Sequence, residues 1–279
     1  MMFRIRRKRL FGYNWLVFTL LAVGVIAMIF PFIWMILSAF KTSIDVYTYP
    51  PKWLPSSWAW TNFETVFRMI PFVRYYINTI YTSIAITAIT IGLSVISAYS
   101  LTKLRYPGKT FVVGLLRSSM FVPTVVTMIP MYLLVGSLGW LDTYKGIILP
   151  QVETAFTTML LMSYFHSIPN ELIDSARIDG CGPYRVLTRI VIPNSKGPIA
   201  TATLFTFLGA WRSYTWPLIV TTKTMLRTLP IGMKYLMWET SSEYQVMMAA
   251  SLMAILPVII VFVFSEKQLV RSITLTGIK

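Results

Sequence analysis

From Leu10 to Phe40 the chain carries no charged residue, and Arg4, Arg6, Arg7, Lys8 and Arg9 stand directly before that run. A helix crosses a bilayer with about 20 apolar residues, so the run is long enough to span one. A signal peptide also begins basic and then apolar, but its apolar part is only about 7 to 15 residues and ends on small residues. Pro31, Phe32, Ile33 and Trp34 do not fit such an ending, so an uncleaved helix is expected. Charge-poor runs of this kind recur along the chain. Only 13% of the 279 residues are charged and 56% are hydrophobic, whereas soluble domains carry about 25% charged residues. The reading is an all-α membrane protein, one transmembrane domain over 1–279, with six spans at about 14–40, 75–103, 111–138, 146–166, 197–222 and 244–265. The third span is interrupted by Arg117 and broken by Pro123 and Pro130.

Six spans put both termini on one side. Basic residues on that side are the N-terminal cluster, then Lys103, Arg105, Lys109, Arg177, Arg185, Arg189, Lys196, Lys267, Arg271 and Lys279. They outnumber Lys41, Lys52, Arg68, Arg74, Lys145, Lys223, Arg227 and Lys234 on the other side. By the positive-inside rule both termini are cytoplasmic, in a cell membrane crossed several times. The segment 41–74 is then an extracytoplasmic loop, with Trp53, Trp58 and Trp60 suited to a membrane interface. Within it Phe63, Val66, Phe67 and Ile70 fall on one helical face, an interfacial amphipathic helix.

Composition also excludes. The basic excess clusters at the ends of apolar runs, which marks membrane orientation and contact with lipid, not nucleic-acid binding. Cys181 is the one cysteine and His166 the one histidine, so neither an intrachain disulfide nor a Cys/His metal set can be built. No nucleophile, histidine or metal cluster suggests a catalytic residue. Gly108, Lys109 and Thr110 mimic the end of a phosphate-binding loop, but Lys103 occupies its first glycine position and a span precedes it. No ATP site is expected in this chain.

One polar interval does not fit a simple connector. Pro169 to Pro193 reads PNELIDSARIDGCGPYRVLTRIVIP. Asn170 can cap a helix whose first turn carries Glu171 and Asp174, with Leu172, Ile173 and Ala176 on one face. Asp179 and Gly180 end it, Gly180 suiting a left-handed cap. Pro183 can open a second helix with Val186, Leu187 and Ile190 on one face, which Pro193 stops. Two short amphipathic helices between spans need the feet of those spans or a partner protein to cover their apolar faces. The loop 167–196 therefore reads as a cytosolic docking device.

E-L-I-D-S-A-R-I-D-G followed by a hydrophobic stretch ending in Pro resembles the E-A-A-x-x-x-D-G motif of the membrane subunits of binding-protein-dependent ABC importers. The match covers Glu171, Ala176, Asp179, Gly180 and Pro193, while Leu172 and Ile173 replace the two alanines. Phe40-Lys41, Trp53 to Pro55, Asn62-Phe63, Ala98-Tyr99, Pro107 to Lys109, Gly146 to Pro150, Trp211 to Pro217 and Gln268 to Lys279 resemble the carbohydrate branch, relatives of the second maltose-importer permease. The resemblance implies a type I importer permease fold and a transport subunit that is not itself an enzyme. It implies a companion permease, two ATPase subunits that hold ATP and Mg, and an extracytoplasmic solute-binding protein, with no cofactor in this chain. Residues 167–196 would then be the coupling loop seated on the ATPase. The tail Gly277, Ile278 and Lys279 would touch the ATPase pair.

Charges inside spans are costly and mark candidates for function. At about 1.5 Å per residue, Arg212 lies roughly 22 Å from the cytoplasmic start of the fifth span and Glu153 roughly 10 Å from the outer start of the fourth, depths that nearly match in a core of about 30 Å. An ion pair between them, contact with the companion permease, and contact with the solute are all open; Arg117 has no acidic mate at its depth. Trp211 could stack on a sugar ring or simply pack. Relatives usually carry Asn after the tryptophan of span five, so Arg212 departs from the family. The implied solute is an oligosaccharide. An acidic, uronate-containing oligosaccharide or another polar solute is the alternative, and an ion-coupled secondary transporter a further one.

Overall fold

The computed structural model describes residues 6–152, 155–239 and 243–276, with side chains over 15–152, 155–239 and 243–266. Glu153 and the tail Gly277, Ile278 and Lys279 lie outside these residues. Among the described residues the secondary structure is helical, without strands. The chain forms two compact units, Met1–Ile70 with Met233–Ala254 and Pro71–Gly232 with Ile255–Lys279.

In the first unit α1 (Arg6–Ala39) is the charge-free run, continuous despite Pro31. Its side chains from Trp15 to Phe32 are largely exposed, Met28 to 75%. A surface so apolar suits lipid and not water. Two short helices follow, α2 (Ser43–Tyr47) and α3 (Thr61–Met69). Buried Asn62 donates from Nδ2 to the carbonyls of Ala39 and Lys41, both at 2.9 Å, and so ties α3 to the end of α1. Phe40 packs against Trp58, Trp60 and Phe63, with ring centroids 4.8 to 5.2 Å apart. Trp53 folds back onto Phe30 and Trp34. These tryptophans, expected to sit in a membrane interface, pack ring against ring yet stay largely exposed, Trp53 to 60%, Trp58 to 58% and Trp60 to 64%. On the face of α3 expected to be interfacial, Val66 is fully buried and Ile70 nearly so, while Phe67 stays half exposed.

A charged lock closes the 41–56 segment. The Asp45 carboxylate accepts from Lys52 Nζ at 2.8 Å, from the Ser56 backbone N–H at 2.9 Å and from the Ser56 hydroxyl at 2.8 Å. These donors, Lys52 first, hold its carboxyl well below the usual carboxylate range. Lys41 is buried with Nζ 3.8 Å over the Trp34 ring, and burial lowers its pKa while Asp45 partly opposes that shift.

The second unit is built around α4 (Phe72–Lys103). One side of α4 is a row of buried Thr and Ser, and several of the threonine hydroxyls bond back to carbonyls one turn earlier, as Thr79 does to Tyr75 and Thr87 to Ser83. Near its N-terminus Asn78 donates to the carbonyls of Met225 and Arg227 and accepts from Tyr144 Oη at 2.7 Å, while Thr79 Oγ1 accepts from the Leu229 N–H at 2.7 Å. Then come α5 (Lys109–Ser119) and α6 (Thr124–Ser137), bent 100° at the break before Pro123 and Thr124. Pro123 therefore breaks the third expected span as read from sequence. Pro130 does not; it sits inside α6, as proline does in membrane helices whose freed carbonyls find other partners.

The fourth and fifth expected spans are assembled from pieces. The first piece of the fourth is α7 (Tyr144–Ile148), followed by a tight 3-10 turn at Leu149–Gln151 and then α8 (Ala155–Ser167). The 167–196 loop holds α9 (Asn170–Ile178), α10 (Pro183–Val186) and α11 (Ile192–Asn194). The fifth consists of α12 (Lys196–Trp211) and α13 (Thr215–Val220). The chain closes with α14 (Leu229–Glu239) and α15 (Tyr244–Thr276). Among the described residues, three helices are long and apolar enough to cross a membrane alone: Trp15–Ala39, Phe72–Lys103 and Tyr244–Glu266. The bent α5–α6 pair qualifies jointly. At 16 residues α12 reaches only about 24 Å at 1.5 Å per residue, short of a full crossing. The helix stops there because Arg212 and Ser213 cap it instead of continuing it.

Candidate functional site

The 167–196 loop is not a free appendage. One core cluster joins Val95, Ala98, Tyr99 and Leu101 of α4 with Leu161, Met162 and Phe165 of α8, and extends to Ile173 and Ala176 of α9 and to Val186, Leu187 and Val191. The inner face of the loop is therefore continuous with the packing between α4 and α8. At core density such a contact transmits displacement instead of absorbing it.

The turn after α9 is fully defined by its hydrogen bonds. Cys181 N–H donates to the Ala176 carbonyl at 2.9 Å and Gly180 N–H to that of Arg177 at 3.0 Å. This is the Schellman arrangement, and Gly180 adopts the positive φ it needs, 77°. Asp179 is the residue that caps α9, and Ala176 lies buried under the turn. Glu171 stands in the first turn, exposed.

Two local expectations change. Pro169, not Asn170, holds the N-cap position; Asn170 is the first helical residue, and its Oδ1 accepts from Lys103 Nζ at 3.0 Å. Lys103 also donates to the Ile168 carbonyl at 2.6 Å, so a buried ammonium takes the side chain that would otherwise cap the helix. The second helix widens into a π turn over Leu187–Val191, with Ile192 N–H donating to the Leu187 carbonyl five residues back. Pro193 follows at once and has no N–H to give its own turn. The wider turn brings Val191 fully onto the buried face, with Ile190 packed partly buried beside it.

The outer side of the loop is exposed and partly apolar. Ile178 is 87% exposed, Tyr184 76% and Leu172 48%, beside the exposed ion pair Arg177–Asp174. Sequence reasoning did not single out Ile178 and Tyr184. Their signal was available: apolar side chains that fit neither buried face of a polar interval.

The other sequence candidates separate. Trp211 is buried, stacked on Phe207 at 5.9 Å and edge-on to Tyr76 at 5.8 Å, so it packs the core. Arg117 is exposed in the last turn of α5. Arg212 is exposed immediately after α12, where Nε donates to the Leu208 carbonyl at 3.2 Å. The helix C-terminus, with its partial negative charge, thus compensates the guanidinium, a fourth possibility beside an acidic partner, the companion permease and a solute. Beside Arg212, Ser213 Oγ donates to Gln151 Oε1, and Trp216 Nε1 donates to the Gly146 carbonyl at 3.0 Å. These two bonds fasten the segment after α12 to α7 and to the tight turn that follows it.

The family described as binding-protein-dependent transport system inner membrane component matches residues 90–274, a stretch that contains the whole loop. The chain belongs to this family. It is 31% identical over 277 residues to the probable ABC transporter permease protein YurM of Bacillus subtilis, covering 98% of this chain and 91% of that protein. It is 30% identical over 266 residues to the sn-glycerol-3-phosphate transport system permease protein UgpE of Brucella abortus, covering 92% of this chain and 94% of that one. Among solved structures it resembles a chain of a bacterial ABC transporter involved in the import of the acidic polysaccharide alginate. There the TM-score is 0.81 and the identity 26%, over 96% of this chain and 99% of the other. The chain is thus a transport subunit of an inner membrane.

Proposed function

We propose that this permease works in an ATP-driven importer of oligosaccharides delivered by an extracytoplasmic binding protein, and that residues 167–196 are its coupling loop. The observation that carries the reading is the two-sided loop: Ile173, Ala176, Val186 and Val191 are buried with α4 and α8, while Leu172, Ile178 and Tyr184 are exposed on a turn fixed by Gly180. Exposed apolar groups at the end of a rigid lever suit a protein groove. Six spans, with both termini and this loop in the cytosol, complete the proposal. A companion permease completes the pathway, and two ATPase subunits bind ATP and Mg, receive the loop and touch Gly277, Ile278 and Lys279. ATP hydrolysis in those subunits drives alternating access. Co-purification of an ATPase with the wild-type chain tests this. Ile178→Glu is expected to lower the recovered ATPase about tenfold or more, because a carboxylate would be desolvated in the groove; undiminished recovery would refute the docking face.

A second reading of the solute is favoured by Arg212, exposed where relatives usually carry Asn. Only its Nε is engaged among the described residues, so the guanidinium fork is available for bidentate contact with a carboxylate. The solutes for which two of these similar proteins are named, a glycerol phosphate and alginate, are anionic. An acidic oligosaccharide is the solute this supports, with a Glu153–Arg212 ion pair as the competing role. Arg212→Asn is expected to assemble normally and to slow uptake of a uronate oligosaccharide about tenfold more than a neutral one of equal length, since a charged hydrogen bond is worth about 1.5–3 kcal/mol. Equal slowing of both, with a fall in thermal stability, would assign Arg212 to the ion pair.

A further inference from the structure

The end of α4, the turn after it and the start of α9 enclose a cavity of about 140 Å3. Its wall carries Lys103, Arg105, Lys109 and Arg177 against a single carboxylate, Asp174. That carboxylate is taken by Arg177, whose Nη1 lies 3.2 Å from Asp174 Oδ1 and whose Nη2 donates to the Lys103 carbonyl. Lys103 is 8% exposed, yet among the described residues it forms no salt bridge; its ammonium donates to two neutral acceptors, the Ile168 carbonyl and Asn170 Oδ1. Lys109 likewise donates to the carbonyls of Thr102 and Leu104, both at 3.0 Å. Each ammonium has three donors and spends two, leaving one on each lysine. The exposed Arg105 adds a whole guanidinium.

A buried cation held only by neutral acceptors has its charged form disfavoured, and the cost of burying that charge falls when an anion is brought alongside. The cavity wall has an excess of such charge and open donors. A water's share of liquid volume is about 30 Å3, so the cavity has room for a tetrahedral oxyanion. It lies at the end of the long apolar helix α4. Basic pockets at helix ends of this kind hold phosphate headgroups.

We propose that this cavity binds a phosphate group, that of an anionic phospholipid headgroup or a free phosphate, and that the bound anion fastens the end of α4 to the start of α9. The anion bridges Lys103, Lys109 and Arg105 and so stiffens the junction through which α4 meets the loop. Its test does not depend on which solute is carried.

The test is thermal melting of the full-length chain, purified in detergent with its co-purifying subunits. It is titrated in parallel with short-chain phosphatidylglycerol, short-chain phosphatidylcholine and inorganic phosphate. Phosphatidylglycerol or phosphate is expected to raise the midpoint where phosphatidylcholine does not, and whichever acts at the lower concentration identifies the source. Arg105→Gln, at an exposed position, is expected to fold and to need about tenfold more ligand for the same rise, with Arg105→Lys recovering part of it. Lys109→Gln is expected to weaken the response further. No rise in wild type, the same rise with phosphatidylcholine, or a response unchanged in both glutamine variants would each overturn the proposal.

Discussion

Gly180→Val is expected to abolish the stimulation of ATP hydrolysis by loaded binding protein while leaving the membrane helices assembled. Gly180 has φ 77°, and nothing lies within 4 Å of the position a Cβ would take, so the effect is one of backbone conformation and not of crowding. A non-glycine residue held in the left-handed region costs about 1–3 kcal/mol, most for a β-branched one. The chain escapes that cost by turning elsewhere, which breaks the Cys181-to-Ala176 and Gly180-to-Arg177 bonds and re-aims everything from Pro183 onward. A graded series gives the decisive measurement. Asn tolerates this region, so Gly180→Asn should retain most coupling, Gly180→Ala less and Gly180→Val almost none. Equal stimulation across the series would show that the turn does not transmit the motion.

Gly146→Ala is expected to be strongly destabilising. A Cβ there would sit 2.2 Å from the Trp140 carbonyl oxygen and 3.3 Å from Val135 Cγ1. The carbonyl cannot step aside easily, because it accepts from Thr143 Oγ1 at 2.7 Å and belongs to the turn that starts α7. Thr143 in turn caps that helix by accepting from the Gly146 N–H, and the Gly146 carbonyl accepts from Trp216. One methyl therefore strains the Trp140 turn, the cap and the tie to α13 together. Overpacking costs about 1–3 kcal/mol, occasionally more, and the upper end applies where backbone must move. The check is the melting midpoint in detergent beside Gly209→Ala, whose Cβ would meet nothing within 4 Å. Equal midpoints for the two variants would contradict the close approach.

The parts of this protein that were legible in the sequence are those set by local physics. Charge-free runs longer than a bilayer is thick became the uninterrupted helices α1, α4 and the apolar part of α15, since such a segment in lipid has only its own backbone to bond to. The D-G turn was legible for the same reason: Gly180 answers to the geometry of four or five neighbouring residues. Pro123 was readable as a break because proline acts within one turn.

Tertiary structure decided whatever depends on partners distant in sequence. Asn170 had every local reason to cap α9, but Lys103, 67 residues earlier, needed an acceptor for a buried ammonium and took its side chain. The Pro130 signal failed in the opposite direction, because a helix interior can tolerate a proline that local rules would make a break. Trp211 looked available to a solute until Phe207 and Tyr76 closed over it. Arg212 looked like a charge in mid-span, and the end of α12 at Trp211 turned it into a cation at a helix C-terminus. The sequence by itself determined the solvent of this chain, its long helices and the glycine turn of its loop, because those follow from hydropathy and from φ. Only the tertiary structure decided which buried polar groups meet and which surfaces stay open, because a side chain's partner is fixed by packing between segments that the chain order does not bring together.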